Sequence, residues 1–126
     1  AEEMRLRGYD LEQTVDALAL PLYWQAEEAP GTSYHVFVHL APPDAPPVAQ
    51  ADGVPVNWQR PTTSWRAGEV IVDAYTIPLT GVEAGQYNLL IGMYDPAAGG
   101  LRPKTVVDDE VVPDGYVLLQ ELEIGQ

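Results

Sequence analysis

Apolar side chains recur at every second position in several short segments of this chain, and this spacing restricts its fold more than any other feature. A period of two is that of a β-strand, in which successive side chains point to opposite faces. Residues 16–25 and 33–40 show it over their whole length, so each is predicted to form a strand with one buried face. The alternating residues are Leu18, Leu20, Leu22 and Trp24 in the first segment and Tyr34, Val36, Val38 and Leu40 in the second.

Further strands are predicted at residues 48–51, 69–79, 85–95 and 116–124, with a short one near Leu101. Most of the 12 Pro and 11 Gly residues fall between these segments, where they favour turns. No segment keeps the spacing of an amphipathic helix over three turns. The 126 residues suit one domain, so residues 1–126 are predicted to form a single all-β domain.

Many short strands joined by frequent turns favour an antiparallel β-sandwich of the immunoglobulin-like type, with a jelly roll as the alternative. The segment 79–89 supports the first of these folds, because Gly85 and Tyr87 have the spacing of a tyrosine corner. In this motif a tyrosine at the start of a strand donates its hydroxyl hydrogen to backbone a few residues upstream. Pro21 cannot donate to a strand ladder, so an edge, a bulge or a bend is expected there.

The charge of the chain is strongly negative, with 19 acidic and 6 basic residues and a net charge of −13. Such a surface repels phosphate backbones and anionic lipid headgroups, so nucleic acid is not an expected partner. The longest mainly apolar stretch, residues 15–24, is about half the length of roughly 20 residues that spans a bilayer. Direct insertion of this chain into a membrane is therefore not expected.

The residues that carry common enzyme chemistries are absent or poorly spaced. The chain has no Cys, and its serines Ser33 and Ser64 lie in no nucleophile-elbow motif. His35 and His39 would share a strand face but lie about 13 Å apart along it, too far for one zinc ion. The chain is therefore predicted not to be an enzyme and to use no cofactor or metal. Aspartates in turns leave a structural calcium ion as an open question.

The predicted loop at residues 54–68 carries the best candidates for a ligand site. Loops of this length inside compact domains tend to be functional. Trp58 and Trp65 lie in it with Arg60, and Asp52 comes just before it. Aromatic faces beside polar side chains suit sugar rings, which have apolar C–H surfaces and polar hydroxyls. The alternative is that one or both tryptophans plug an end of the core, which the sequence favours for Trp65; exposure to solvent separates the two.

Several phrases in the chain are together similar to one known family. In this order they resemble the soluble C-terminal domain that follows the multi-pass region of bacterial membrane glycosyltransferase-like proteins. Those proteins are related to dolichyl-phosphate-mannose–protein mannosyltransferases. The phrases are Leu6-Arg-Gly-Tyr-Asp-Leu11, Leu22-Tyr-Trp-Gln-Ala26, Tyr34-His-Val-Phe-Val-His-Leu40, Ala49-Gln-Ala-Asp-Gly53, Pro61-Thr-Thr-Ser-Trp65, Gly68-Glu-Val and Gly85-Gln-Tyr-Asn-Leu-Leu-Ile-Gly-Met-Tyr-Asp-Pro96.

The resemblance implies a β-sandwich on the extracytoplasmic face of a bacterial membrane, held there as part of a larger membrane protein. It carries over no catalytic residue, because the acidic catalytic loop of that family belongs to the membrane portion. The expected function is a non-catalytic accessory domain that binds a glycan or a glycosylation acceptor. The alternatives are a purely structural or protein-interaction domain and, third, a small hydrolase. The start at Ala1 and Glu2 suggests a fragment of a larger protein.

Overall fold

Two β-sheets packed face to face make up the computed structural model, which describes residues 3–125. No α-helix occurs in this range, and its only helical turns are two short 3₁₀ turns, Thr62–Ser64 and Pro96–Ala98. The predicted all-β sandwich is thus confirmed. The strands are β1 Glu3–Tyr9, β2 Glu12–Gln13, β3 Ala17–Gln25, β4 His35–Ala41, β5 Ala49–Gly53, β6 Val70–Pro78, β7 Gly85–Tyr94, β8 Lys104–Val107, β9 Glu110–Val112 and β10 Val117–Ile124.

The strand order of the two sheets is that of an immunoglobulin-like sandwich. In the first sheet β3 pairs with β6 on one side and with β1 and β2 on the other, and β8 and β9 extend it beyond β1. The second sheet has the order β10-β7-β4-β5. Every pairing is antiparallel except that of β1 with β8. The central strands divide between the two sheets as in an immunoglobulin-like fold. One sheet contains β3 and β6, and the other contains β4, β7 and β10.

The core lies between the sheets and is built from the alternating residues of the sequence. The inward faces of β3, β4 and β7 are buried as the period of two predicts, and Trp24 is a fully buried core residue. Burying a large apolar side chain contributes about 1.5–3 kcal/mol, so these strands supply much of the stability. The buried residues of these faces are Leu18, Leu20, Leu22 and Trp24 on β3, Tyr34, Val36, Val38 and Leu40 in or beside β4, and Tyr87, Leu89, Ile91 and Met93 on β7.

A tyrosine corner closes the turn before β7. The Tyr87 hydroxyl donates to the Glu83 carbonyl oxygen at 2.6 Å, as the sequence predicts.

Pro21 lies in the middle of β3, a central strand rather than an edge. Its carbonyl oxygen accepts from the Asp10 amide at 3.1 Å. Asp10 falls between the end of β1 and the start of β2, so the missing donor of Pro21 faces a break in the neighbouring strand. The interruption expected from the proline therefore occurs in its partner, which is how a central strand accommodates it.

Strict alternation gives the wrong faces for β10. It would place Val117 and Leu122 on opposite faces, yet both are buried. The register against β7 shifts between Leu118 and Gln120, which marks a β-bulge. One extra residue reverses the faces that follow it.

The strands β1, β2, β8 and β9 are absent from the sequence-based prediction. Residues 108 and 109 join β8 to β9, and both have left-handed backbone, with φ of 51° at Asp108 and 65° at Asp109. This is the conformation of a two-residue hairpin turn, which Asp tolerates better than most residues.

The predicted domain limits of 1–126 include residues 1, 2 and 126, which lie outside the described residues. Within 3–125 no helix has the length and apolar character of a membrane span.

Candidate functional site

The first half of the predicted loop is an ordered left-handed turn. Val56, Asn57 and Trp58 have φ values of 57°, 53° and 70°, a region that non-glycine residues rarely occupy and β-branched residues almost never. The Trp58 amide donates to the Val54 carbonyl oxygen at 2.9 Å, and the Arg60 amide donates to that of Pro55 at 3.0 Å. Such strain persists only where the surroundings impose it, and it is concentrated at functional sites.

The buried carboxylate of Asp73 anchors this turn through a hydrogen bond. Asp73 lies on β6 with its side chain inward and is fully buried. One of its oxygens accepts from the Trp24 indole N–H at 3.2 Å, and the other accepts from the Val56 amide at 2.7 Å. Burial raises the pKa of Asp73, and these hydrogen bonds partly offset that effect. The carboxylate thereby links the core tryptophan to the strained turn.

Trp58 is presented to solvent by the turn. Its side chain is 62% exposed, which is unusual for so large an apolar group. The indole packs over Gly53, where an added Cβ would lie only 3.0 Å from the Trp58 Nε1 atom. Its edge contacts His35, with 5.3 Å between ring centroids. Trp58 is thus fixed in place while one large part of it stays open.

Trp58 stands at one end of a row of rings on the outer surface of the second sheet, here called the aromatic face. His35, Phe37 and His39 alternate outward on β4, and Tyr94 lies opposite His35 on β7. The contacts run from His35 to Tyr94 at 5.5 Å, and from Phe37 to Tyr116 at 5.5 Å and to His39 at 4.9 Å. The aromatic face comprises Trp58, His35, Tyr94, Phe37, His39 and Tyr116.

Two hollows adjoin the aromatic face. The outer hollow, of about 200 Å³, lies over β4 and β7 and is lined by Phe37, Tyr94 and Tyr116 among others. The edge hollow, of about 340 Å³, lies where β5 meets β6 and has Trp58 in its wall. Asp52 lines both of them. An aromatic surface and a carboxylate are thus available in one continuous region.

Partial burial shifts the pKa of two groups in this region, Asp52 and His39. Burial raises the pKa of Asp52, and the neighbouring imidazoles of His39 and His35 partly offset this. Burial lowers the pKa of His39, opposed by the Asp52 carboxylate. The His39 Nδ1 atom is buried, and no described residue hydrogen-bonds to it. The region therefore offers a carboxylate acceptor and a ring nitrogen to a polar ligand.

The structure brings together only two of the four predicted site residues, Asp52 and Trp58. Trp65 is buried, with 2% of its surface exposed, and its indole N–H donates to the Arg60 carbonyl oxygen at 3.1 Å. It is the core plug of the two alternatives, as the sequence favours for Trp65, and its ring is not open to a stacking ligand.

Arg60 stabilises the second half of the loop through an ion pair and hydrogen bonds. Its guanidinium pairs with Glu69 at 2.9 Å and donates to the Ser64 carbonyl oxygen at 3.2 Å. The same pairing lowers the pKa of Glu69. Arg60 lines neither of the two hollows, and its role as a polar partner of Trp58 stays a prediction.

The outward rings of β4, with Tyr94 and Tyr116, are the site residues that sequence reasoning missed. The sequence alone indicates half-buried polar and aromatic positions without a binding role at His35, Phe37 and His39. The available signal is three rings in succession on the outward side of one strand, where a solvated sheet face usually carries short polar or charged residues.

A third surface hollow, of about 290 Å³, lies beside β1 and differs in character. Arg5 lines it and pairs with Glu27 at 3.3 Å and with Asp109 at 3.4 Å. No aromatic residue lines this hollow among the described residues. Across residues 3–125, no group of three or more His, Asp or Glu side chains is arranged to hold a metal ion.

Comparison with known proteins identifies no family for this chain. No protein-family model matches the sequence, and no characterised protein matches it significantly. Among solved structures, β-glucosidase 3B from Thermotoga neapolitana in complex with glucose is 14% identical, with a TM-score of 0.49 over 99% of this chain. A β-glucosidase from Kluyveromyces marxianus in complex with glucose is 15% identical, with a TM-score of 0.42 over 98%. This chain spans 17% and 15% of the lengths of those two proteins.

Proposed function

We propose that this domain is a non-catalytic glycan-binding module whose ligand lies on the aromatic face. The observation that carries the proposal is the presentation of Trp58, an indole held by a strained turn and left 62% exposed. Trp58 adjoins the rings of His35 and Tyr94, and a contiguous exposed apolar patch is typical of a binding surface. The apolar C–H surface of a sugar ring is a suitable partner for a flat aromatic side chain.

Polar groups beside the rings suit the hydroxyls of a sugar. The Asp52 carboxylate accepts hydrogen bonds, and a hydrogen bond to a charged group contributes about 1.5–3 kcal/mol. Around the two hollows, Asp52 is the only carboxylate among the described residues. Glycoside hydrolysis commonly uses a pair of carboxylates, so a binding role is favoured over a hydrolytic one.

The cellular setting is proposed from the family resemblance. On that basis, the module lies on the extracytoplasmic face of a bacterial membrane as part of a larger glycosyltransferase-like protein, where it holds a glycan or an acceptor. The negative charge of the chain disfavours nucleic acid as a partner. This is the only support that the charge gives to the proposed setting.

The proposal is tested by titrating the intrinsic tryptophan fluorescence with a panel of soluble oligosaccharides. Trp24 and Trp65 are buried, so a ligand-induced change reports on Trp58. We expect a saturable change in the wild type and about a tenfold weaker affinity in Trp58→Ala, since an aromatic contact of this kind contributes about 0.5–1.5 kcal/mol. Calorimetry measures binding by the variant, which lacks the fluorescent reporter.

The matched control is Tyr23→Leu, which removes a ring from the outer face of the other sheet. Tyr23 contacts Asp10 through its hydroxyl and lies outside the aromatic face, so glycan affinity should stay at the wild-type value. Circular dichroism checks that both variants are folded. Binding that survives in Trp58→Ala, or no binding by the wild type to any member of the panel, would contradict the proposal.

Binding is expected to weaken at acid pH through Asp52. Its pKa is raised above the ordinary value of 3.8, so as the pH falls it loses its charge earlier than an ordinary aspartate. A neutral acid accepts hydrogen bonds less strongly, and we expect about a fivefold loss of affinity between pH 7 and pH 4. Calorimetry across this range should show a smaller loss of affinity for Asp52→Asn, in which His39 remains as a group that gains a proton as the pH falls. A pH dependence unchanged in that variant would assign the effect to another group.

A protein-interaction role is the second candidate, favoured by the outer face of the first sheet. Val70 and Val72 on its edge strand β6 are 51% and 56% exposed, and an exposed apolar edge is a common pairing surface. Silence across the glycan panel would favour this role.

A further inference from the structure

We infer that the ligand is a neutral glycan chain of at least three sugars, which crosses the strands of the second sheet from the edge hollow to the outer hollow. This inference deepens the proposed function and rests on it. It starts from Asp52, which lines both hollows. Asp52 lies opposite Phe37 in the pairing of β5 with β4, so its side chain shares the outer face of the sheet at its edge. The carboxylate thus borders both hollows.

The aromatic face is much longer than one sugar ring. Trp58 packs over Gly53 at the end of β5, whereas Tyr116 directly precedes β10 at the opposite edge of the sheet. Their rings are joined through two others: Trp58 contacts His35 at 5.3 Å and Tyr116 contacts Phe37 at 5.5 Å, and these two partners lie two residues apart on β4, roughly 7 Å. A sugar ring is about as wide as an aromatic side chain, so one sugar cannot contact both ends.

The rings between the two ends form an unbroken path. Trp58 contacts His35, and His35 contacts Tyr94. Phe37 is buried, with 4% of its surface exposed, and supports the path through its contacts with Tyr94 at 6.4 Å and Tyr116 at 5.5 Å. Tyr116 is 37% exposed, so the far end of the path also offers an open surface. A chain laid along this path would meet an exposed ring at each end and the Asp52 carboxylate on the way.

The charges around the two hollows and on the whole protein favour a glycan chain without charged groups. The hollows contain one carboxylate and one guanidinium, Asp52 and Arg102, among the described residues. Arg102 lies 5.6 Å from the centre of the Tyr116 ring and donates through Nε to the Asp114 carbonyl oxygen, so it supports the far ring. The net charge of −13 repels a polyanionic chain. A glycan without acidic groups therefore suits this surface best.

The test is a length series measured by calorimetry at pH 7. The probes are β-1,4-linked glucose oligomers, α-1,6-linked mannose oligomers and β-1,4-linked N-acetylglucosamine oligomers of one to six units, with a galacturonate hexamer for charge. In at least one neutral series we expect the trimer to bind at least tenfold more tightly than the monomer. Trp58→Ala and Tyr116→Ala should each weaken trimer binding, while Tyr23→Leu should not. Both replaced rings are exposed, so folding is expected to persist.

The outcomes separate this inference from the proposed function. If monomer and hexamer bind equally tightly, the ligand is a single sugar; the inference then fails and glycan binding stands. If Tyr116→Ala leaves trimer affinity unchanged, the chain does not cross the sheet. Tighter binding of the galacturonate hexamer than of every neutral oligomer would overturn the neutral class. If no probe binds, both the inference and the proposed function fail.

Discussion

Replacing Asp73 with alanine is expected to lower the free energy of unfolding by about 3 kcal/mol. The Trp24 indole N–H and the Val56 amide both donate to this buried carboxylate, and each donor left without its acceptor costs about 1–3 kcal/mol. Removing the carboxylate also ends its own cost of burial, which offsets part of the loss. Asp73→Asn keeps one acceptor oxygen and should lose about half as much. Urea denaturation followed by circular dichroism measures both variants.

The matched control is Asp44→Ala, which removes an exposed aspartate in the proline-rich turn after β4. Its free energy of unfolding should stay within about 0.5 kcal/mol of the wild type. Asp73→Asn should also weaken glycan binding while the protein remains folded, because the turn that carries Trp58 loses one of its anchors. A loss in Asp73→Ala no larger than in Asp44→Ala would mean that the turn is held by other contacts.

The sandwich could be predicted because its strands depend on a local signal. The alternation in residues 16–25 and 33–40 survives in the structure as one face in the core and one outward face, and Phe37 is the residue of the outward face of β4 that is itself buried. A period of two needs no long-range information, since the pleat alone assigns the faces. The tyrosine corner at Tyr87 is likewise local, because the acceptor lies four positions before the donor in the sequence.

Other elements depend on contacts that no local pattern contains. The bulge between Leu118 and Gln120 is a property of the pairing with β7, and it reverses the faces expected for the rest of β10. Asp73 occupies an inward position on β6 where the alternation calls for an apolar residue. It is tolerated because Trp24 and Val56, far away in the sequence, donate to it.

The candidate site was only half predictable for the same reason. Trp58 and Asp52 stood out as an aromatic residue and an acid near a long loop, and the structure brings them together. Trp65 had the same sequence signal and is buried, because exposure is decided by the packing around the loop. The aromatic face combines residues from β4, β7 and the start of β10, and only the strand order of the second sheet makes them neighbours.

Replacing Gly92 with alanine is expected to lower the free energy of unfolding by about 3 kcal/mol, at the upper end of the usual cost of overpacking. Gly92 lies on β7 beneath the Phe37 ring. An added Cβ would overlap the Gly115 carbonyl oxygen and would lie 2.5 Å from Phe37 Cζ. The side chain of Phe37 could rotate, but the carbonyl belongs to the backbone just before β10. The start of that strand must therefore move, and chemical denaturation measures the cost.

Gly8→Ala makes the same substitution on β1, where an added Cβ meets nothing within 4 Å. It should leave the free energy of unfolding unchanged or raise it by up to about 1 kcal/mol, because alanine restricts the unfolded chain.

The two variants also separate an effect on stability from an effect on ligand binding. A shifted Phe37 and a shifted start of β10 both deform the outer hollow, so Gly92→Ala should weaken binding of the trisaccharide under conditions in which it is still folded. Gly8→Ala should bind as the wild type does, and equal affinity in both variants would show that the ligand does not occupy the outer hollow.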